Sequence, residues 1–251
     1  KARTTQVAGE TVKLDALPDV ADFRDRLFEP TLIEVPTQID LPFFKSIGVP
    51  VSHQGSEGSC TGFALATVAH YLLRVRRVVP DDENVSSRMF YEMAKRYDEW
   101  PGEEYEGSSA RGAVKGWNKH GVCAENLWPY EPGVADRDMS SRRSADAMKR
   151  PLGAYYRINQ KDLVAMHSAI ADAGVLFATS VIHEGWISPN IDGSITPAGD
   201  LMGGHAFAIV GYNALGFWIQ NSWGAEWGIQ GCALMTYDDW LDNAMDVWVA
   251  Q

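Results

Sequence analysis

The stretch Gln54–Ala64, QGSEGSCTGFA, places Cys60 at the point where a loop becomes a helix. Gly55, Ser56, Gly58 and Ser59 make a tight loop that another chain can approach closely. Phe63, Ala64, Leu65, Ala66, Val68, Ala69 and Leu72 carry the apolar spacing of a buried helix. A thiol at that junction faces the unsatisfied N–H groups and positive end of the helix, which favours thiolate over thiol. A lone cysteine beside apolar residues is as readily a core thiol, so its meaning depends on what the rest of the chain supplies.

On the N-terminal side, residues 1–34 are polar and mixed, broken at Pro18-Asp19, with a charged patch at Asp22–Arg26 expected to start a short helix. Pro30, Pro36 and Pro42 keep the chain extended, so this part reads as an arm lying on a domain. On the C-terminal side, the helix from Cys60 is expected to run to Val79, with Arg74, Arg76 and Arg77 near its end and Pro80 as its stop. Ser86 caps a second helix, Ser87–Tyr97, and the acidic run Asp98–Gly107 (DEWPGEEYEG) is a surface loop. Ser108 or Ser109 caps a third helix ending at Gly121. Residues 126–150 read as a crossover. From Pro151 the pattern is mostly strand: 154–158, 175–182, 205–212, 217–220, 232–237 and 247–250, with one helix at 161–173. Helices first and strands second give a segregated α+β class.

The 251 residues, 45% of them hydrophobic, suffice for one large domain or two packed lobes. A net charge of −11, from 22 basic against 33 acidic side chains, argues against a nucleic-acid surface. No apolar run approaches the roughly 18 residues of a membrane helix and the first residues are polar, so neither a span nor a signal peptide is expected. Because the chain starts at Lys1, it is expected to be trimmed, a fragment, or cut from a longer precursor, and the address (bacterial cytoplasmic or secreted) stays open. Three cysteines, Cys60, Cys123 and Cys232, are too few for a disulfide framework; the last two read as buried free thiols. No ligand set at useful spacing points to a metal, and no cofactor is expected.

A cysteine nucleophile needs a base that later returns the proton, a role histidine fills near neutral pH. Of six histidines, His205 follows Gly203-Gly204 and opens the apolar strand HAFAIVGY, so its ring is held on a rigid element with glycine beside it. Asn221, ending the strand FWIQN, offers an amide oxygen to orient that ring, and the following Trp223 an indole to shield the contact from water. Gln54 supplies a side-chain amide within reach of an oxyanion, with the Cys60 N–H as second donor.

These blocks, Gln54-Gly55 through Gly58-Ser59-Cys60 with Phe63-Ala64, Gly204-His205-Ala206 with Val210-Gly211-Tyr212, and Asn221-Ser222-Trp223-Gly224 with Trp227-Gly228, resemble the papain-like cysteine proteases in order and spacing. The resemblance covers about Val35 to the C-terminus. It implies a two-lobe fold: a helical lobe (35–150) carrying Cys60, a β-rich, barrel-like lobe (151–251) carrying His205 and Asn221, and a cleft between them, with residues 1–34 an extension or pro-segment remnant. It implies Cys60 as nucleophile, His205 as acid and base, Asn221 as orienter and Gln54 as oxyanion donor. Gly107, Ser108, Gly204 and Trp223 are then implied to line the substrate. The expected partner is a polypeptide substrate, with a protein inhibitor or the chain's own pro-segment as further partners. The expected activity is that of a thiol endopeptidase, a hydrolase. The alternatives are acyl transfer from the same acyl-enzyme and a catalytically silent binding module. Three departures stand out. The family's disulfide positions are Glu57 and, approximately, Tyr105. Thr61-Gly62 replaces the usual bulky residue after the nucleophile, which predicts a less covered helix start and a wider pocket. Residues 1–34 lack a long helical pro-segment pattern, which argues against an inhibitory propeptide of the usual kind. The acidic run beside Gly107 suggests a preference for Arg or Lys upstream of the cut bond.

Overall fold

The chain opens with a β-hairpin, β1 (Arg3–Val7) and β2 (Glu10–Leu14), that the sequence reading missed. Ala8 and Gly9 both turn with positive φ (50° and 85°), the two-residue turn whose twist suits antiparallel strands. The computed structural model describes residues 3–31, 34–76, 79–100, 105–134 and 136–251. Asp22–Arg26 is not helical; it makes a turn that leads to Leu27, bridged to Arg157.

A short helix α1 (Leu41–Ser46) precedes α2 (Cys60–Arg74). α2 stops six residues before Pro80, because the chain turns back and the Asp81 N–H satisfies the Leu73 carbonyl at 3.0 Å. Arg77 lies outside the described residues. α3 (Ser87–Arg96) and α4 (Ala110–His120) start on the side-chain caps Ser86 and Ser109. The crossover contains α5 (Ser141–Ala147), capped by Ser140.

Beyond it lie β3 (Tyr155–Ile158), α6 (Leu163–Ala173), β4 (Leu176–His183), β5 (Leu201–Tyr212), β6 (Gly216–Gln220), β7 (Cys232–Thr236), α7 (Tyr237–Asn243) and β8 (Ala244–Ala250). The expected α+β class holds, but the expected barrel does not. The six strands form an open sheet in the order β3-β8-β4-β5-β6-β7, every pair antiparallel. Closure would need β3 to pair with β7, and each of these edges is already covered. Arg157 of β3 exchanges hydrogen bonds with the arm at Arg26 and Phe28, and Leu234 of β7 with Gly193 and Ile195. α2 packs on α3 on one side and on β5 on the other, so the start of α2 and the start of the His205 segment of β5 meet. No described helix is long and apolar enough to cross a membrane.

Candidate active site

Cys60 is the first residue of α2 and is fully buried. Burial pushes its thiol up to about 11; the Ala206 N–H pulls the other way, the Asp15 carboxylate raises it further, and the Thr61 and Asp15 N–H groups lower it. Burial, the largest of these effects, opposes the thiolate expected at this position.

His205, also fully buried, places Nε2 2.7 Å from Asn221 Oδ1. The Ser222 N–H donates to the same oxygen at 2.7 Å, which identifies that atom as the amide's oxygen. His205 Nε2 must therefore carry the proton, and Nδ1 keeps a free lone pair with no hydrogen-bond partner among the described residues. Burial lowers the imidazole to about 4, opposed by the Asn221 hydrogen bond. Trp223 lies 4.9 Å from the His205 ring, centroid to centroid, and is buried.

Gln54 is joined to the same network by a residue for which the sequence suggested no role. Ser222 Oγ donates to Gln54 Oε1 at 2.9 Å, which turns the Gln54 NH2 group toward the cleft, while its N–H holds Asn221. Ser222 thus links the amide donor to the imidazole's orienter. Its adjacency to Asn221 was the only available signal.

The arm lies across these residues. The Gln54 Nε2 donates to the Lys13 carbonyl at 3.2 Å and to the Glu57 carbonyl at 3.2 Å. Ala16 N–H donates to the Gly204 carbonyl at 3.1 Å. Asp15 Oδ2 accepts from the N–H groups of Glu106 (2.9 Å) and Gly107 (3.1 Å). The arm's backbone passes so close that a Cβ on Gly107 would sit 1.6 Å from the Asp15 carbonyl oxygen, and one on Gly204 1.9 Å from that of Ala16. Leu17 then bridges Ser109. Gly107 and Gly204 are thus brought to the site, both against a peptide backbone. Ser108 instead lies beneath it, its hydroxyl 2.6 Å from Thr61 Oγ1, both residues fully buried. That bond corrects the expectation of a less covered helix start: Thr61 ties the start of α2 to the Gly107 loop.

A second anchor holds the arm further along. Arg111 of α4 reaches Asp25 at 2.6 Å and also pairs with Glu99; Arg157 pairs with Asp25 at 3.2 Å and with Asp246. Asp19 accepts from Arg111 N–H and Trp248 Nε1, each at 2.8 Å. Burial and then Asp246 push the Asp19 carboxyl up to about 7 against those donors. The three cysteines are free and buried, and at the family's disulfide position Glu57 instead meets Arg88 at 2.7 Å.

A buried thiol, an oriented imidazole with an open lone pair and a primary amide aimed at a peptide carbonyl form the equipment of thiol acyl transfer. The family model described as papain family cysteine protease matches residues 35–246. The chain belongs to the papain family of cysteine proteases. Among solved structures, this papain-family peptidase is similar to xylellain, a cysteine protease from Xylella fastidiosa, at 26% identity and a TM-score of 0.81, covering 95% of each chain. Digestive procathepsin L 3 of Tenebrio molitor shares the fold at 19% identity and a TM-score of 0.72, covering 90% of this chain and 73% of that one. An uncharacterised peptidase C1-like protein of Acanthamoeba polyphaga mimivirus is 28% identical over 220 residues, 79% of this chain and 68% of the relative.

Proposed function

We propose that this cysteine peptidase is an endopeptidase whose own arm keeps it latent. The observation that carries this reading is the Lys13 carbonyl on the Gln54 amide, a main-chain carbonyl lying where an oxyanion donor is needed. With the arm displaced, His205 Nδ1 takes the Cys60 proton and the sulfur attacks the scissile carbonyl carbon. The oxyanion is met by Gln54 Nε2 and the Cys60 N–H. The imidazolium gives its proton to the departing amine, leaving a thioester. Water, deprotonated by the same ring, then releases the acid and restores the thiol. Asn221 keeps the ring aligned and Trp223 keeps water from its bond. Gly107 and Gly204 offer main-chain groups to an extended substrate.

The arm's direction accounts for its survival. A departing amine must lie near His205 and Trp223. There the arm instead presents residues N-terminal to Lys13: Glu10 pairs at 3.0 Å with His53, which bridges Trp223. The arm therefore runs opposite to a productive substrate.

It also supports a preference for basic side chains. Lys13 Nζ lies 2.7 Å from Glu106 Oε2. Other acidic residues of that run are committed elsewhere, Asp98 to the Ser109 N–H and the Tyr105 hydroxyl, Glu99 to Arg111 and the Val20 N–H. Glu103 and Glu104 lie outside the described residues.

The test is digestion of a peptide library by the full chain carrying Asp15→Ala, with and without Cys60→Ala. Cleavage that disappears with Cys60→Ala is expected, and its persistence sinks the reading, as does no cleavage from a chain whose Cys60 alkylates freely. Cleavage after Lys and Arg is expected to fall about fivefold on Glu106→Lys, the worth of roughly 1 kcal/mol for a partly exposed pair.

A further inference from the structure

The two groups assigned to the oxyanion, Gln54 Nε2 and Cys60 N–H, sit at opposite ends of one irregular loop, one end held by α2 and the other by the Gln54 N–H on the Ser222 carbonyl at 2.9 Å. Side chains from elsewhere tie the two ends to each other. The Tyr130 hydroxyl donates to the Gln54 carbonyl at 2.5 Å and lies 3.1 Å from Ser59 Oγ, which is left to donate to it. One oxygen atom thus ties the residue that carries the amide to the residue just before the nucleophile. The ring is itself held fast. Phe63 meets it edge-on at 4.6 Å and the Arg88 guanidinium stacks 4.6 Å from its centroid, while the Tyr130 main-chain N–H donates to Glu125 Oε1 at 3.0 Å. Arg88, 3% exposed, grips the middle of the same loop through both carboxylate oxygens of Glu57 (2.7 and 3.2 Å).

We propose that Tyr130 is a positioning residue of the oxyanion site: its hydroxyl clamps residues 54 and 59 and so fixes the spacing of the two donors. This rests on the proposed catalytic reading. Preorganised donors act only at the position where charge develops, so a displacement of a fraction of an ångström is felt in turnover and not in binding. Arg88 serves as the plate against which the ring is pressed.

Tyr130→Phe keeps the ring, the Arg88 stack and the Phe63 contact and removes only the hydroxyl. In the full chain carrying Asp15→Ala, it is expected to lower kcat about tenfold with KM changed less than about twofold, a fraction of the 10²–10³ lost with a whole donor. Adding Tyr130→Phe to Gln54→Ala is expected to cost nothing further, because the group it positions is gone. An unchanged kcat, or an equal loss in both backgrounds, overturns the proposal. Should Gln54→Ala leave kcat intact, it is the catalytic reading that fails. The clamp is read independently in the closed chain, where NMR follows the Gln54 side-chain amide held on Lys13. Tyr130→Phe is expected to shift that signal and speed its exchange, and an unmoved signal overturns the clamp whatever the turnover.

Discussion

Asp15→Ala is expected to raise the rate at which iodoacetamide alkylates Cys60 in the full chain about 10²–10³-fold near neutral pH, with Cys123 and Cys232 unchanged. In the closed state the thiol is fully buried and pushed up to about 11, so alkylation proceeds through rare departures of the arm. Its rate then follows the open fraction. The Asp15 carboxylate, in a residue only 8% exposed, accepts two main-chain N–H groups. At roughly 1.5–2 kcal/mol for each charge-assisted bond, the low end of the usual range, losing both costs the closed state about 3–4 kcal/mol, and every ~1.4 kcal/mol is a factor of ten. The pH dependence separates this from simple loosening. Alkylation of the unaltered chain is expected to climb with pH toward about 11, whereas the substituted chain should reach its plateau lower, once the open thiol regains water and faces the helix N-terminus. Mass spectrometry of the modified peptide gives both measurements. An unchanged rate in a chain that melts at an unchanged temperature would show that Asp15 does not hold the arm.

The sequence made the components of the cleft visible more readily than their closure. Cys60 and Asn221 sit at element boundaries and His205 lies within β5 where its apolar run begins, each with a local signature: glycines before a helix, glycines before the apolar half of a strand, a polar residue just past one. Local patterning reaches that far because the periodicity on one side and the break on the other are both within a few residues. Asp15 is different. Its role depends on meeting Glu106 and Gly107 some ninety residues away, and nothing around LDALP marks a carboxylate that will be buried. The hairpin before it was legible but missed: Val7, Val12 and Leu14 alternate inward around Ala8-Gly9, a period-two pattern in a stretch otherwise rich in polar residues. The short helices α5 and α7 escaped for a similar reason, each announced only by its cap, Ser140 and Thr236. The open sheet could not be told from a barrel, since closure depends on what covers the two edge strands, and both covers come from irregular segments.

The sharpest separation of exposure from catalysis is expected at Gly107. A Cβ there would lie 1.6 Å from the Asp15 carbonyl oxygen and 2.5 Å from its carbonyl carbon, both main-chain atoms that no side-chain rotation can move aside. The nearest atoms it would meet all belong to Asp15, so alanine strains the arm and leaves the surrounding domain in place. Gly107→Ala is therefore expected to lift the arm and raise Cys60 alkylation at least as far as Asp15→Ala does, with little change in the melting of the domain. Peptide hydrolysis should move the opposite way. An extended substrate must lay its own backbone over the same surface, and a displacement of about 1 Å at a bound chain costs on the order of 10²-fold in turnover. Asp15→Ala should thus yield a chain that is reactive and hydrolytic, Gly107→Ala one that is reactive and nearly inert toward peptides. If Gly107→Ala hydrolyses the library as well as Asp15→Ala does, substrate and arm do not share this path across the cleft. If instead it leaves Cys60 as slow to alkylate as the unaltered chain, the close approach of the arm is not what seals the thiol.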